Sequence, residues 1–178
     1  MENEALENET LKVIKNRKSV RNYLDKPVGE KDLKTLIKSG MAAPSAVDLR
    51  PWDFLVVKNE STLKALADVM PFGKMLPGAG AALIICGVPG RSVPEAPEFW
   101  VQDCSAASEN ILLAAESMGL GAVWLGVYPV KERIEGVRNV LKIPENVVPL
   151  NIISIGYPAG AEKPKDKFEV EKIHKEKW

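Results

Sequence analysis

One sheet with helices packed on it, α/β or α+β in class, is what the sequence predicts, and three observations predict it. The 178 residues suit a single domain, for which roughly 100 to 200 residues is the usual size. The composition, 46% hydrophobic and 27% charged, can fill a core without long disorder. Segments with helical spacing of apolar residues alternate along the chain with short β-branched runs, and neither an internal repeat nor a long linker interrupts them.

The first helix is expected at about residues 5–16, with Leu6, Val13 and Ile14 among its apolar positions, followed by an extended segment at 17–24. Asp25-Lys26-Pro27 ends that segment, because a residue before proline is pushed away from helical angles. A second helix at 30–42 places Leu33, Leu36, Ile37, Gly40 and Met41 on one stripe expected to be buried. Pro44 and Pro51 bracket a loop that leads into a short strand at 54–57. Ser61 is the expected N-cap of a helix reaching Met70. Residues 81–88 form a continuous apolar run, the pattern of a strand buried on both faces. The longest helix is expected at 98–118, with Trp100, Val101, Cys104, Ile111, Leu112, Ala115 and Met118 on its apolar side and Gly119 as the left-handed residue beyond its end. A strand at 122–127, a helix at 131–141 and a strand at 147–155 complete the series. From about residue 159 the chain turns Lys/Glu-rich and reads as an extended arm of the same domain.

Residue counts remove several chemistries. The single histidine, His174, lies in a charged run near the C-terminus, so neither a multi-histidine metal site nor a buried Ser-His-Asp triad is expected. Cys86 and Cys104 are too few and too far apart for a zinc knuckle and are expected to be buried thiols. Any redox chemistry must therefore come from a cofactor. Lys and Arg together number 24, as do Asp and Glu, so net charge gives no reason to expect nucleic acid or an anionic membrane. The acidic start, with Glu2, Glu4, Glu7 and Glu9, is the opposite of a signal peptide's basic one. The longest apolar stretch, at 75–90, is broken by Pro77, Gly78 and Gly80 and falls short of the ~18 continuous residues of a membrane span. A cytoplasmic setting is the simplest expectation.

Charge is concentrated locally. Residues 12–21 hold Lys12, Lys15, Arg17, Lys18 and Arg21 and no acid. In an extended chain alternate residues share a face, so Arg17, Ser19 and Arg21 would offer two guanidinium forks and a hydroxyl to a phosphate. On spacing alone a solvated basic helix end, favoured by the macrodipole, is the commoner outcome. Lys163, Lys165 and Lys167 also alternate, and by themselves read as a solvated tail. Gly78-Ala79-Gly80 precedes a strand instead of opening a helix, so no dinucleotide fingerprint is present and an anion clamp must use side chains.

Arg17-Lys18-Ser19-Val20-Arg21-Asn22-Tyr23, followed by Ala43-Pro44-Ser45-Ala46-Val47-Asp48-Leu49-Arg50-Pro51-Trp52-Asp53-Phe54, resembles the two N-terminal signatures of the FMN-dependent nitroreductase family. Gln102-Asp103 with Asn110, the stretch from Gly119 to Gly126, and Gly156-Tyr157-Pro158 before a lysine tail ending in Trp178 fit as well, in the expected order. The resemblance implies an α+β fold with a mostly antiparallel central sheet flanked by helices. It implies a homodimer whose subunits exchange C-terminal arms, with FMN bound across the interface. By similarity Arg17, Lys18, Ser19 and Arg21 hold the FMN phosphate, ribityl chain and N1/C2 edge, Lys18 at least through its backbone. Pro44, Ser45 and Asp48 approach from the partner subunit, Leu125 and Gly126 lie against the ring, and Lys165 and Lys167 return to the phosphate. Lys74 is a weaker match to a lysine near the flavin.

The implied activity is hydride transfer from NADH or NADPH through FMN to a nitroaromatic, quinone or similar small electron acceptor, with no protein acid or base required. Alternatives are a flavin store without turnover and a specialised relative such as a reductive dehalogenase or flavin-fragmenting enzyme. Nucleic acid is disfavoured, Tyr23 being the one aromatic within the basic segment. Asp48 and Arg50 depart from the family's usual Asn and Gln, Pro71 from an Asn, and Lys167 from an Arg. An ionised Asp48 cannot donate to a flavin carbonyl, so it is expected either to pair with Arg50 or to shape the substrate site. Trp52, Trp100, Trp124, Tyr23 and Tyr128 are expected to be packing residues, with Phe72 and Trp100 the aromatics nearest a pocket. Asp103 and Glu109 are expected at the helix surface or as caps.

Overall fold

The structure, a computed structural model, describes residues 8–160 and 162–178. Helix α1 (Glu9–Asn16) is capped by Asn8, whose side chain accepts the Leu11 N–H at 2.8 Å. The expected start at residues 5–7 lies outside the described residues. None of the α1 side chains is buried in the subunit, and Leu11 and Ile14 are exposed.

Helix α2 (Glu30–Met41) buries Leu33, Leu36 and Gly40 as its spacing predicts, but Met41, at the end of the stripe, is exposed. Strand β1 (Trp52–Val57) begins two residues before the expected start at 54. Helix α3 (Glu60–Val69) is capped by Asn59 and not by Ser61: the Asn59 oxygen accepts the Thr62 N–H at 3.1 Å, and the Ser61 hydroxyl donates to it as well. Strand β2 (Ala81–Gly87) is buried at every position. Helix α4 (Phe99–Ser117), strand β3 (Gly121–Gly126), helix α5 (Lys131–Leu141) and strand β4 (Val148–Gly156) complete the core. Beyond Pro158 the arm carries one short helical turn, Val170–Lys172.

The sheet order is β1-β2-β4-β3 with every neighbouring pair antiparallel. The period of two splits β2 cleanly. Leu83 and Ile85 face a core closed by α2 and α4, while Ala82, Ile84 and Cys86 face a second core with α3 and α5 residues such as Leu63, Leu66 and Val137. Helices thus cover both faces of an antiparallel sheet. Both cysteines are free and buried, and burial pushes each thiol up to about 12.

Two glycines set the path of α4 and of the basic segment. Gly119 takes a φ of 70°, a left-handed angle that ends α4 and turns the chain into β3. At Gly121 a Cβ would stand 2.6 Å from Val20 Cγ1, so only glycine lets the N-terminal segment lie this close. There Ser19 forms a parallel bridge with Ala122, and the Val20 N–H donates to the Ala122 carbonyl at 3.0 Å.

Candidate functional site

The sequence-predicted residues fall into three groups, two of them at opposite corners of the sheet. Residues 17–21 run beside β3, an edge strand, at its Gly121 end. The 44–51 loop enters β1, the opposite edge, whose Trp52 pairs with Gly87. The antiparallel registers place Trp52 and Gly126 toward one end of the sheet and Gly121 toward the other. The two groups are therefore diagonal, with three strand spacings of about 4.8 Å between the edges, or ~14 Å.

At the β3 corner, Val20 turns inward and is buried, while Arg21 is exposed. Two carboxylates of α4 meet the basic segment. Glu109 Oε1 lies 3.3 Å from Arg17 Nε, and the Lys18 ammonium donates to both Glu116 oxygens at 3.0 and 3.2 Å. The Lys18 side chain is thereby engaged in holding the segment. Among the described residues Arg17 is held only at Nε, which leaves the terminal fork of its guanidinium to meet an anion.

The C-terminal arm comes back to the same place. A cavity of about 560 Å³ is lined by Lys15, Arg17, Pro164, Lys165, Asp166 and Lys167, with Ile14 and Asn16 completing it. Four cations face it against one carboxylate, and Asp166 is itself turned to accept the Phe168 N–H at 3.0 Å. Lys165 and Lys167 form no ion pair among the described residues. Glu162 anchors the arm, accepting the Arg21 N–H at 3.4 Å and the Asn22 amide at 3.3 Å. Its own backbone N–H first, and then those donors, hold its carboxyl below the usual carboxylate range. Sequence reasoning named Arg17, Lys165 and Lys167 separately; the fold brings them together.

At the far end of β3, Gly126 presents a half-buried backbone whose carbonyl accepts the Arg133 guanidinium at 3.0 Å. Leu125 points into the α3/α5 core, so its backbone alone is left to meet a ligand. Phe72, 71% exposed, lies under Arg133 with the guanidinium carbon 5.8 Å from the ring centroid. Lys74 is exposed in the adjoining turn. Trp100 is not a pocket wall: it is buried and packs edge-to-face with Tyr128 at 4.9 Å between ring centroids. Trp52 is buried too.

At the β1 corner, Pro44 and Asp48 are exposed and Ser45 is half-buried. Asp48 pairs with Arg50, through Arg50 Nε at 2.7 Å and a second contact from Nη2. The guanidinium holds the Asp48 carboxyl below its ordinary range. Of the two roles expected for Asp48, pairing with Arg50 is the one the structure forms. Val47, Asp48 and Arg50 all have positive φ, at 52°, 56° and 52°.

One expectation on α4 is corrected. Asp103 is not at the helix surface: it is 5% exposed, and its Oδ1 accepts the Ala46 N–H at 2.9 Å. Glu109 holds Arg17. A signal for Asp103 was available, since it falls at helical spacing among Trp100, Cys104 and Ala107, all buried. Among the described residues no cluster of His, Cys, Asp and Glu could hold a metal, and no helix is long and apolar enough to cross a membrane.

Comparison with known proteins places this geometry in context. The model of the Nitroreductase family matches residues 14–71 and 72–157. A protein of Methanothermobacter thermautotrophicus with the provisional name NADH dehydrogenase/NAD(P)H nitroreductase is 48% identical over 170 residues, covering 96% of this chain and 88% of its own length. A Parabacteroides distasonis crystal structure under the same provisional name matches with a TM-score of 0.92 at 50% identity, over 97% of this chain and 100% of that one. A Desulfovibrio desulfuricans structure, provisionally described as a nitroreductase in complex with FMN, matches with a TM-score of 0.82 at 28% identity, over 97% of this chain and 99% of that one.

Proposed function

The chain belongs to the nitroreductase family, and from that premise we propose that it is an FMN-dependent oxidoreductase that passes a hydride from NADH or NADPH to a nitroaromatic, quinone or similar small acceptor. The observation that carries this reading is the cavity that joins Arg17 to Lys165 and Lys167.

The residues present fit FMN. A dianionic phosphate needs convergent cations, and the cavity supplies them from two chain segments 148 residues apart, counting from Arg17 to Lys165. When bound, FMN supplies the hydride chemistry that the protein's own side chains lack. Arg17, Lys165 and Lys167 hold the phosphate. Ser19 and the Lys18 backbone face the ribityl chain, and Arg21 stabilises negative charge at the N1/C2 edge of the ring. The Leu125 and Gly126 backbone lies against the ring, with Lys74 nearby, and Phe72 beside Gly126 is the exposed aromatic on which a planar acceptor would rest. Pro44, Ser45 and Asp48 come from the partner subunit.

The diagonal placement supports a dimer. Ser45 and Arg21 of one subunit stand at opposite corners of its sheet, and a two-fold axis lets one subunit's loop meet the other's basic segment. Phe168, Val170, Ile173 and Trp178 on the arm are all exposed, as are Leu11 and Ile14 on α1. Apolar groups left uncovered on this scale mark an interaction surface, and β1 offers an unpaired edge.

The test is the spectrum of the purified protein. The expected preparation is yellow, releases about one FMN per subunit, is bleached anaerobically by NADH or NADPH and regains colour with a nitroaromatic or quinone. A colourless protein that cannot be reconstituted with FMN overturns the proposal.

A further inference from the structure

We infer that Asp103 is a positioning residue for the FMN site: through the Ala46 amide it holds the 45–50 loop in the shape that presents Ser45 and Asp48 to the flavin. The inference rests on the flavoenzyme reading above and assigns a role to a residue that touches neither cofactor nor substrate.

Asp103 is the one charged residue among the described residues that is buried. Burying a carboxylate is unfavourable unless strong hydrogen bonds compensate it. The partner here is a single backbone amide on a loop 57 residues away in sequence, Ala46 N–H at 2.9 Å. A bond to an ionised acceptor is among the stronger ones a protein makes.

The loop needs such a tether. Val47, Asp48 and Arg50 all adopt the left-handed region, which each residue with a Cβ resists, the β-branched Val47 most. Within the loop, the Asp48 N–H donates to the Ser45 carbonyl, the Leu49 N–H to the Ala46 carbonyl and the Arg50 N–H to Ser45 Oγ, while Asp48 pairs with Arg50. All of these close the loop on itself. Among the described residues, the contact with Asp103 is the only hydrogen bond that ties 45–49 to the body of the protein.

Helix α4 thereby acts as a spacer between the two corners. Asp103 fixes the β1 loop, and Glu109 and Glu116 fix Arg17 and Lys18. At about 1.5 Å per residue the helix sets these anchor points up to ~20 Å apart. In a dimer, that spacing fixes where one subunit's loop meets the other subunit's basic segment.

The two carboxylate oxygens differ in a way that makes a sharp test. Oδ1 holds Ala46, whereas Oδ2 has no partner among the described residues. In Asp103→Asn, an amide oxygen can keep the bond to Ala46, and the NH2 group falls where nothing is lost. Asp103→Ala removes the acceptor. FMN titration of the full-length protein is expected to show Asp103→Ala weakened about tenfold to a hundredfold, the scale of one lost charge-assisted bond, with Asp103→Asn restored to within about threefold of wild type. Amide hydrogen exchange is expected to quicken at Ala46 and Leu49 in the Ala variant and to stay slow in the Asn variant.

Unchanged FMN affinity in Asp103→Ala overturns the assignment, as does an Asn variant as impaired as the Ala variant. If the Ala variant does not fold, wild-type exchange decides: an Ala46 amide no better protected than that of Val47 overturns it as well. A wild-type protein that binds no FMN overturns the flavoenzyme reading instead, and exchange at Ala46 still reports on the tether.

Discussion

The two edges of the sheet carry the two halves of the proposed flavin site, and they are held by different means. At the β3 edge, residues 17–21 are bridged to Ala122, packed through Val20, and tied by two ion pairs to α4 and by Glu162 to the arm. At the β1 edge, three left-handed residues form a loop closed on itself and tethered by one buried carboxylate. The difference corresponds to what each half has to do. A phosphate cradle gains from fixed cations whose desolvation and ordering are settled before the ligand arrives. A loop that reaches across a subunit interface has to project, and strained backbone held by few contacts projects side chains that a regular element would not.

The largest effect that separates the two edges is expected at Arg17. Arg17→Ala should weaken FMN binding by about tenfold to a hundredfold, the equivalent of roughly 1.5 to 3 kcal/mol for charge-assisted bonds. Asp48→Ala should change it far less, because the Asp48 carboxylate is already engaged by Arg50. Flavin fluorescence titration of both variants checks this. A larger loss from Asp48→Ala would reverse the comparison and move the main anchor to the loop.

A steric change sharpens the same contrast. Gly121→Ala would put a Cβ 2.6 Å from Val20 Cγ1, and overpacking of this kind costs about 1 to 3 kcal/mol. Urea unfolding should show that loss, with weaker FMN binding as the segment carrying Ser19 and Arg21 is displaced. A stable variant with normal affinity would mean that the close approach of the segment to β3 is not needed for the cradle.

How much of this was legible in the sequence depends on where the information lies. Helix α5, at residues 131–141, has the bounds expected from sequence, and the fully buried β2 was plain from its unbroken apolar run. The cap of α3 was misplaced by two residues because Asn59 and Ser61 both suit the position, and reach to the Thr62 amide chooses between them. Met41 was assigned to the buried stripe because periodicity alone does not show where a stripe runs past the core. In the site, the cations were visible as charge patterns, but the joining of Arg17 to Lys165 and Lys167 is tertiary. The spacing of Asp103 marks its burial but not its role, because its partner is a backbone amide, which carries no side-chain signature.

The smallest expected effect also lies at the β3 edge, where Tyr23 closes the basic segment onto β4. Its hydroxyl lies 2.8 Å from the Val20 carbonyl and 3.2 Å from that of Ser154, and burial pushes its pKa up to about 12 from 10.0. Below pH 10 the phenol is protonated in both folded and unfolded chains and its contribution to stability is complete. Between pH 10 and 12 the unfolded chain has released the proton and the folded chain still holds it, so stability falls as pH rises. The thiols of Cys86 and Cys104, raised by burial from 9.0 to about 12, start that fall nearer pH 9. Tyr23→Phe should therefore lose about 0.5 to 1.5 kcal/mol at neutral pH, the worth of an ordinary hydrogen bond. It should also show a shallower decline between pH 10 and 12, with the thiol part of the decline intact. Urea midpoints measured across that range distinguish the outcomes: parallel slopes in the two proteins would mean that Tyr23 ionises as freely as in an unfolded chain. The segment carrying Arg21 would then be held by its bridge to Ala122 and by Glu162, without help from a buried phenol.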